Sequence, residues 1–126
     1  MTTVLRCAIG RCGVAVPLEA VRMVVRASEI VAPVAGGSSI IGLLNVRGRV
    51  VPVVDWDGTA QVRERVVIVE DADGEWLGIG VDAGEEVVQV SESPEGCWTA
   101  PDGAMLTRLD PDRLVPRTGV VDVREA

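Results

Sequence analysis

Histidine, lysine, phenylalanine and tyrosine are all absent from this 126-residue chain, whose 12 basic residues are therefore all arginine. Without imidazole, no Ser-His-Asp or Cys-His nucleophile can be assembled, and no zinc site can use a histidine ligand. Without lysine there is no Walker A loop, no Schiff base and no nucleotide-binding lysine of the kinase kind. Cysteine is scarce and odd in number, at Cys7, Cys12 and Cys97. No charged n-region and apolar h-region occupy residues 1–9, so reduced thiols in a cytoplasm are expected. Apolar runs fall far short of the ~20 residues that span a bilayer, so no membrane insertion is expected. Cys7 and Cys12 bracket a turn, but two thiols with no further close ligand make a poor metal site. Neither a metal nor a cofactor is expected.

What remains is an apolar chain built largely on valine, 48% hydrophobic with a mean hydropathy of +0.31. Valine is stiff at χ1 and fits a pleated surface, which favours strands. The length suits one domain, able to bury roughly two-thirds of its unfolded surface. Charge is uneven. Residues 1–54 carry six arginines against Glu19 and Glu29, a net of +4, whereas residues 55–126 carry six arginines against 17 acids, a net of −11. A pI near 4.5 argues against nucleic acid as the partner. The asymmetry fits either two faces for two partners or acidic solvated loops.

Hydrophobic runs and turn residues predict strands over Val4–Ile9, Val14–Val16, Met23–Arg26, Ile40–Val46, Arg49–Val54, Arg65–Glu70, Trp76–Val81, Glu86–Val90, Ala104–Leu109 and Thr118–Val123. Helical turns are expected over Pro17–Arg22 and Pro111–Leu114. Pro33 and Gly36-Gly37 mark residues 32–39 as a loop, and Pro52 predicts an edge or bulged strand. Asp55–Glu64 is the most polar connection and the expected boundary between two halves. Ser91–Gly103, with Cys97 and Trp98, reads as a loop. Trp56 and Trp98 are expected near the junction of the halves or in its covering loops. So many short strands predict an all-β barrel or a pair of barrels.

The most specific segment runs from Ile41 to Asp55, IGLLNVRGRVVPVVD. Its Asn45, the one asparagine of the chain, and Arg47 interrupt an apolar hairpin where Gly48 permits a turn. Asn45 suits a local backbone hydrogen bond or a binding role, and Arg47 is either a solvated charge or an anchor.

This segment resembles the signature of the CheW-like domain family, in which Gly-x-x-Asn-x-Arg-Gly turns into a strand ending Val-Pro-Val-x-Asp. Val14–Arg22 is similar to the family's opening segment. Leu77–Asp82 followed by Glu86-Val87-Val88 is similar to its second-half strand pair, and Leu106–Leu114 to its terminal Leu-Asp-x-x-x-Leu pattern. Met23 stands where the family often has an acid, and the stretches at 55–64 and 91–103 are short for it. The resemblance implies two small SH3-like five-stranded β-barrels packed together in one domain over 1–126. The first would span about 1–55 and the second 62–126, with terminal strands open to exchange. It implies a non-catalytic adaptor, cytoplasmic and recruited to the inner face of the membrane through receptors. Its partners would be the cytoplasmic tip of a methyl-accepting chemoreceptor and the regulatory domain of a CheA-type histidine kinase. By matching positions, the receptor site would comprise Val21, Met23, Val24, Gly42, Asn45, Arg47 and Gly48.

Two other readings compete. The chain could serve as such a module in a complex unrelated to motility, or as a small-molecule-binding barrel with a deep polar pocket. Asp55 and Asp57 have the spacing of a carboxylate pair, but strand ends and turns are commonly acidic. Gly36-Gly37-Ser38-Ser39 has that of a phosphate cradle, but no lysine and no clear helix accompany it. The purified protein is expected to show no hydrolase, transferase or redox activity. Robust turnover of any such substrate, abolished by Asp55→Asn or Asp57→Asn, would overturn this reading.

Overall fold

The structure is a computed structural model that describes residues 1–31, 40–56, 63–93 and 97–113. The loop expected at 32–39, most of the 55–64 connection and the last expected strand at Thr118–Val123 lie outside the described residues. Ten strands are seen, with three short 3-10 turns and no α-helix among the described residues. They are β1 (Thr2–Ile9), β2 (Cys12–Pro17), β3 (Val21–Arg26), β4 (Ile30–Val31), β5 (Ile40–Val46), β6 (Arg49–Val54), β7 (Arg65–Glu70), β8 (Trp76–Glu92), β9 (Trp98–Thr99) and β10 (Met105–Arg108). The 3-10 turns are Leu18–Ala20, Ala27–Glu29 and Pro111–Arg113.

Hydrogen bonding closes one five-stranded barrel. β1 pairs antiparallel with β2 and with the second half of β8, β9 joins β8 to β10, and β10 returns parallel to β2. The second barrel runs β4-β5-β6-β8-β7-β3, six strands in an open order where five were expected, and uses the first half of β8. Among the described residues, β3 and β4 are joined through the turn at Ala27–Glu29 and not by a ladder. The ladders therefore cross the polar connection at 55–62. Barrel membership departs from the linear limits 1–55 and 62–126, because β1 and β2 find their partners in residues 82–90 and 107–108. A second departure concerns β8. Two strands were expected at Trp76–Val81 and Glu86–Val90, but one 17-residue strand runs through both. Its pairing with β1 jumps from Ala8–Asp82 to Arg6–Glu86, and Gly84 takes φ +103 in that stretch. A glycine there lets one strand bend from one barrel into the other without ending.

Alternation along the strands sorts the side chains into three apolar clusters. Val66 and Ile68 of β7 point into the second barrel with Leu44, Val51 and Val53. Their neighbours Val67 and Val69 point the other way, into a layer shared with Leu77, Ile79 and Val81 of β8 and with Leu5, Cys7, Ile9, Val14 and Val16 of the first barrel. That layer is the seam between the barrels. Because β7 is buried on both faces, its sequence is a continuous apolar run and not an alternating one. The first barrel is filled by Val4, Ala15, Val90, Ala100, Leu106 and Trp98. Trp98 is thus 2% exposed inside a barrel, neither at the junction nor in a loop covering it, because the small residues Ala15 and Ala100 leave room for one large ring. Trp56 does pack on the seam. Pro52 lies one residue before the ladder between β6 and β8 begins, so its missing N–H breaks no bond to β8.

Polar contacts fasten the ends. Asp82 accepts from the Gly10 amide at 3.0 Å and pairs with Arg63 at 3.2 Å, tying the β1–β2 turn to the approach of β7. Asp102 accepts from the Ala104 amide at 3.0 Å and from Arg6 at 2.9 Å. The Ala104 amide first, and then Arg6, hold the Asp102 carboxyl below its ordinary range.

Two tests follow from this packing. A Cβ on Gly78 would stand 2.7 Å from Val66 Cγ1 and 3.2 Å from Val53 Cγ2, both buried. Gly78→Ala should therefore cost about 1–3 kcal/mol in urea denaturation. Asp102, with its folded pKa lowered, adds stability that is fully present above about pH 4 and is lost as pH falls through the folded value. Asp102→Asn should flatten the decline of Tm below about pH 4, and an unchanged slope would show the contact to be inert.

Candidate protein-docking site

The hairpin of β5 and β6 ends in a two-residue turn, with Val46 and Arg49 as its last paired residues. Arg47 has φ +52 and Gly48 φ +85, both in the left-handed region. A turn with two such residues matches the right-handed twist of the strands, and its usual occupants are Asn, Asp and Gly. Glycine satisfies this at no steric cost. Arginine does not, and an L-residue held there is strained by about 1–2 kcal/mol. Asn45 Oδ1 offsets part of that strain by accepting from the Gly48 amide at 3.0 Å. The asparagine thus makes the local backbone bond that its type allows, and it holds an exposed Arg47 at the tip.

The outer flank of the hairpin is apolar for a surface. Val50 is 66% exposed opposite Asn45, and the half-buried pair Leu43 and Pro52 lies next along the strands. Of the seven residues expected to form a receptor site, Asn45, Arg47 and Gly48 come together at this tip. Gly42 is buried in β5 opposite Val53. Val21, Met23 and Val24 are half-buried on β3, but they diverge. Val21 and Val24 pack on the seam, whereas Met23 packs on the core of the second barrel. The register of β3 on β7 slips between Val21 and Met23, which leaves Arg22 exposed at the irregularity.

Four residues that sequence reading passed over link these places. Arg22 forks onto Glu70 through Nε (3.1 Å) and Nη2 (3.2 Å). The same carboxylate accepts from Trp76 Nε1 at 2.9 Å. The Arg49 guanidinium lies 4.0 Å from the Trp76 ring centroid and donates to the Gly74 carbonyl at 3.2 Å. Hydrogen bonds from Arg22 and Trp76, in that order, hold the Glu70 carboxyl below its ordinary value. The available signal was the hairpin itself, which pairs Glu70 with Trp76.

Beside Arg22 an open cleft of about 510 Å³ separates the 3-10 turn at Leu18–Ala20 from the turns at Asp71–Ala72 and Asp110–Asp112. Two of its acids accept backbone amides of residues 72–75. Asp71 accepts from the Asp73 and Glu75 amides at 2.9 Å, and Asp112 accepts from the Ala72 amide at 2.8 Å. Asp71 thus closes its own turn, while Asp112 ties the Pro111–Arg113 turn to it. Burial pushes the Cys7 thiol up to about 12, with the Glu85 charge adding to the effect, so Cys7 is a packing residue. Cys12 is half-buried, with its Sγ 3.4 Å from Thr107 Oγ1. No group of three or more Cys, Asp or Glu side chains is placed to hold a metal among the described residues. Asp57 and the Gly36–Ser39 segment lie outside those residues.

Comparison with known proteins agrees with this architecture. The crystal structure of the scaffolding protein TtCheW from Thermoanaerobacter tengcongensis matches with a TM-score of 0.75 at 20% identity, over 94% of this chain and 90% of that one. A search of curated protein sequences finds no match. The family model for the CheW-like domain matches residues 3–96, which take in β1 to β8 and with them the hairpin tip and its bracing residues. On that match, three-quarters of the chain, the protein belongs to the CheW-like domain family.

Proposed function

We propose that the protein is a non-catalytic scaffold that couples the cytoplasmic tip of a chemoreceptor to the regulatory domain of a CheA-type histidine kinase. The observation that carries this reading is Arg47. An exposed arginine occupies a left-handed turn position that asparagine or glycine would fill with less strain. Strain kept at a surface point, with Asn45 spent on holding it, is the mark of a side chain retained for what it meets.

A guanidinium at a hairpin tip offers forked donors to carboxylates and to the free carbonyls at a helix end. The receptor tip, a helical hairpin, presents both. Val50, Leu43 and Pro52 supply adjacent apolar surface for one face of such a helix. Barrel interiors filled by side chains leave the work to surfaces. Through the receptor the protein is held at the inner face of the membrane.

Titration with a soluble receptor-tip fragment tests this. Arg47→Ala should weaken binding by about 2 kcal/mol, and Arg47→Glu by more. Either should shift folding stability by only ~0.5 kcal/mol. Arg47→Asn should separate the two properties most clearly, with binding weakened but Tm held or raised, because asparagine tolerates the left-handed turn. Wild-type affinity in a folded Arg47→Glu protein, at low and moderate salt alike, would overturn the proposal.

A further inference from the structure

The tip of the β5–β6 hairpin projects beyond the ladders on either side of it. β6 pairs with β8 at only Val53–Gly78 and Val54–Ile79, and the pairing of β4 on β5 stops at Leu44. Residues 45–50 are thus hydrogen-bonded along the ladders only to each other among the described residues. A two-stranded ribbon on its own is marginally stable and free to twist. Two side chains fasten this end to the body: Val46, 6% exposed in the core of the second barrel, and Arg49, stacked 4.0 Å from the Trp76 centroid and bonded to the Gly74 carbonyl.

Trp76 is itself fixed on two sides. Part of its ring packs against the core of the second barrel, and its indole N–H is held by Glu70 at 2.9 Å. Glu70 also grips the Arg22 fork. The bracket therefore runs from β3 through β7 and β8 to β6, and it ends two residues from Arg47. The direction of the ribbon sets where a long side chain at its tip can reach.

We propose that Trp76 is a positioning residue for Arg47, its ring clamping Arg49 so that the hairpin presents the guanidinium to its partner in one direction. This rests on the reading of Arg47 as the receptor contact. Arg49 is the transmitting group and Glu70 sets the orientation of the indole. A large side chain that only filled the core would stabilise the fold without caring what stands at position 47.

A double-mutant cycle separates these roles. Trp76→Leu should weaken binding of the receptor-tip fragment by about fivefold in the wild-type background and have no further effect in Arg47→Ala. Trp76→Phe, which keeps a ring for Arg49 to stack on, should recover most of the affinity. Arg49→Met, which leaves the core untouched, should reproduce the Trp76→Leu loss and covers the case in which Trp76→Leu does not fold. Backbone 15N relaxation at Arg47 and Gly48, measured with no partner present, should show added motion in Arg49→Met and Trp76→Leu but not in Trp76→Phe. Additive losses in the cycle, or unchanged relaxation at the tip in Arg49→Met, would overturn the inference. If Arg47→Ala binds normally, the receptor reading fails by itself, and the relaxation result still decides whether Trp76 holds the tip.

Discussion

The apolar seam between the barrels is the contact on which the rest of the molecule depends. Val67 and Val69 of β7 and Leu77, Ile79 and Val81 of β8 face Leu5, Cys7, Ile9, Val14 and Val16 across it, almost all of them fully buried. Each of those strands also supplies the wall of a barrel, so one layer of side chains serves as the outside of both. Small barrels have little interior to bury, and a chain of this size gains much of its core by pressing two of them together. β-Branched side chains suit the arrangement, since they lose little rotamer freedom when both faces of a strand are covered. The alternation of Leu77, Gly78, Ile79, Gly80 and Val81 has the same origin. Its large residues fill the seam, while Gly78 faces a barrel interior already occupied by Val66, Val53 and Ile68.

With the seam fixed, the exposed parts fall into two kinds. Turns such as Asp71–Gly74 and Pro101–Ala104 are closed by their own aspartates, which accept neighbouring amides. The β5–β6 tip is different, because its strain is not relieved by choosing an easier residue. Around it the polar side chains act in series, from the Arg22 fork to Glu70, to the Trp76 indole and to the Arg49 guanidinium, and each link restricts the next.

The sequence made the strands and their class legible because hydrophobic runs and turn residues are local signals. β5, β6 and β7 fall at the limits that the runs in Ile40–Val46, Arg49–Val54 and Arg65–Glu70 suggest. The hairpin tip was legible too, since Asn45, Arg47 and Gly48 lie within four residues of one another. What stayed hidden was non-local. Nothing near Thr2–Ile9 announces that its partners are residues 82–90, and nothing in a glycine-containing run says that β8 bends and continues. Trp98 looked like a loop residue because its strand is two residues long, and its burial depends on Ala15 and Ala100 from distant segments. Arg22, Glu70, Trp76 and Arg49 come from four strands, and no spacing rule gathers them.

The sharing of β8 has a consequence for the order in which the protein forms. As the chain leaves the ribosome, β3 to β7 and the first half of β8 can pair among themselves once Val81 has emerged. β1 and β2 are made first yet must wait for β9 and β10 to close their own barrel. Over that interval the apolar hairpin they form and the uncovered faces of β7 and β8 are exposed together, and pairing across such sequence distances is slow. A chain that completed β3 to β7 before residues 98–108 emerged would hold a bare valine surface over that interval.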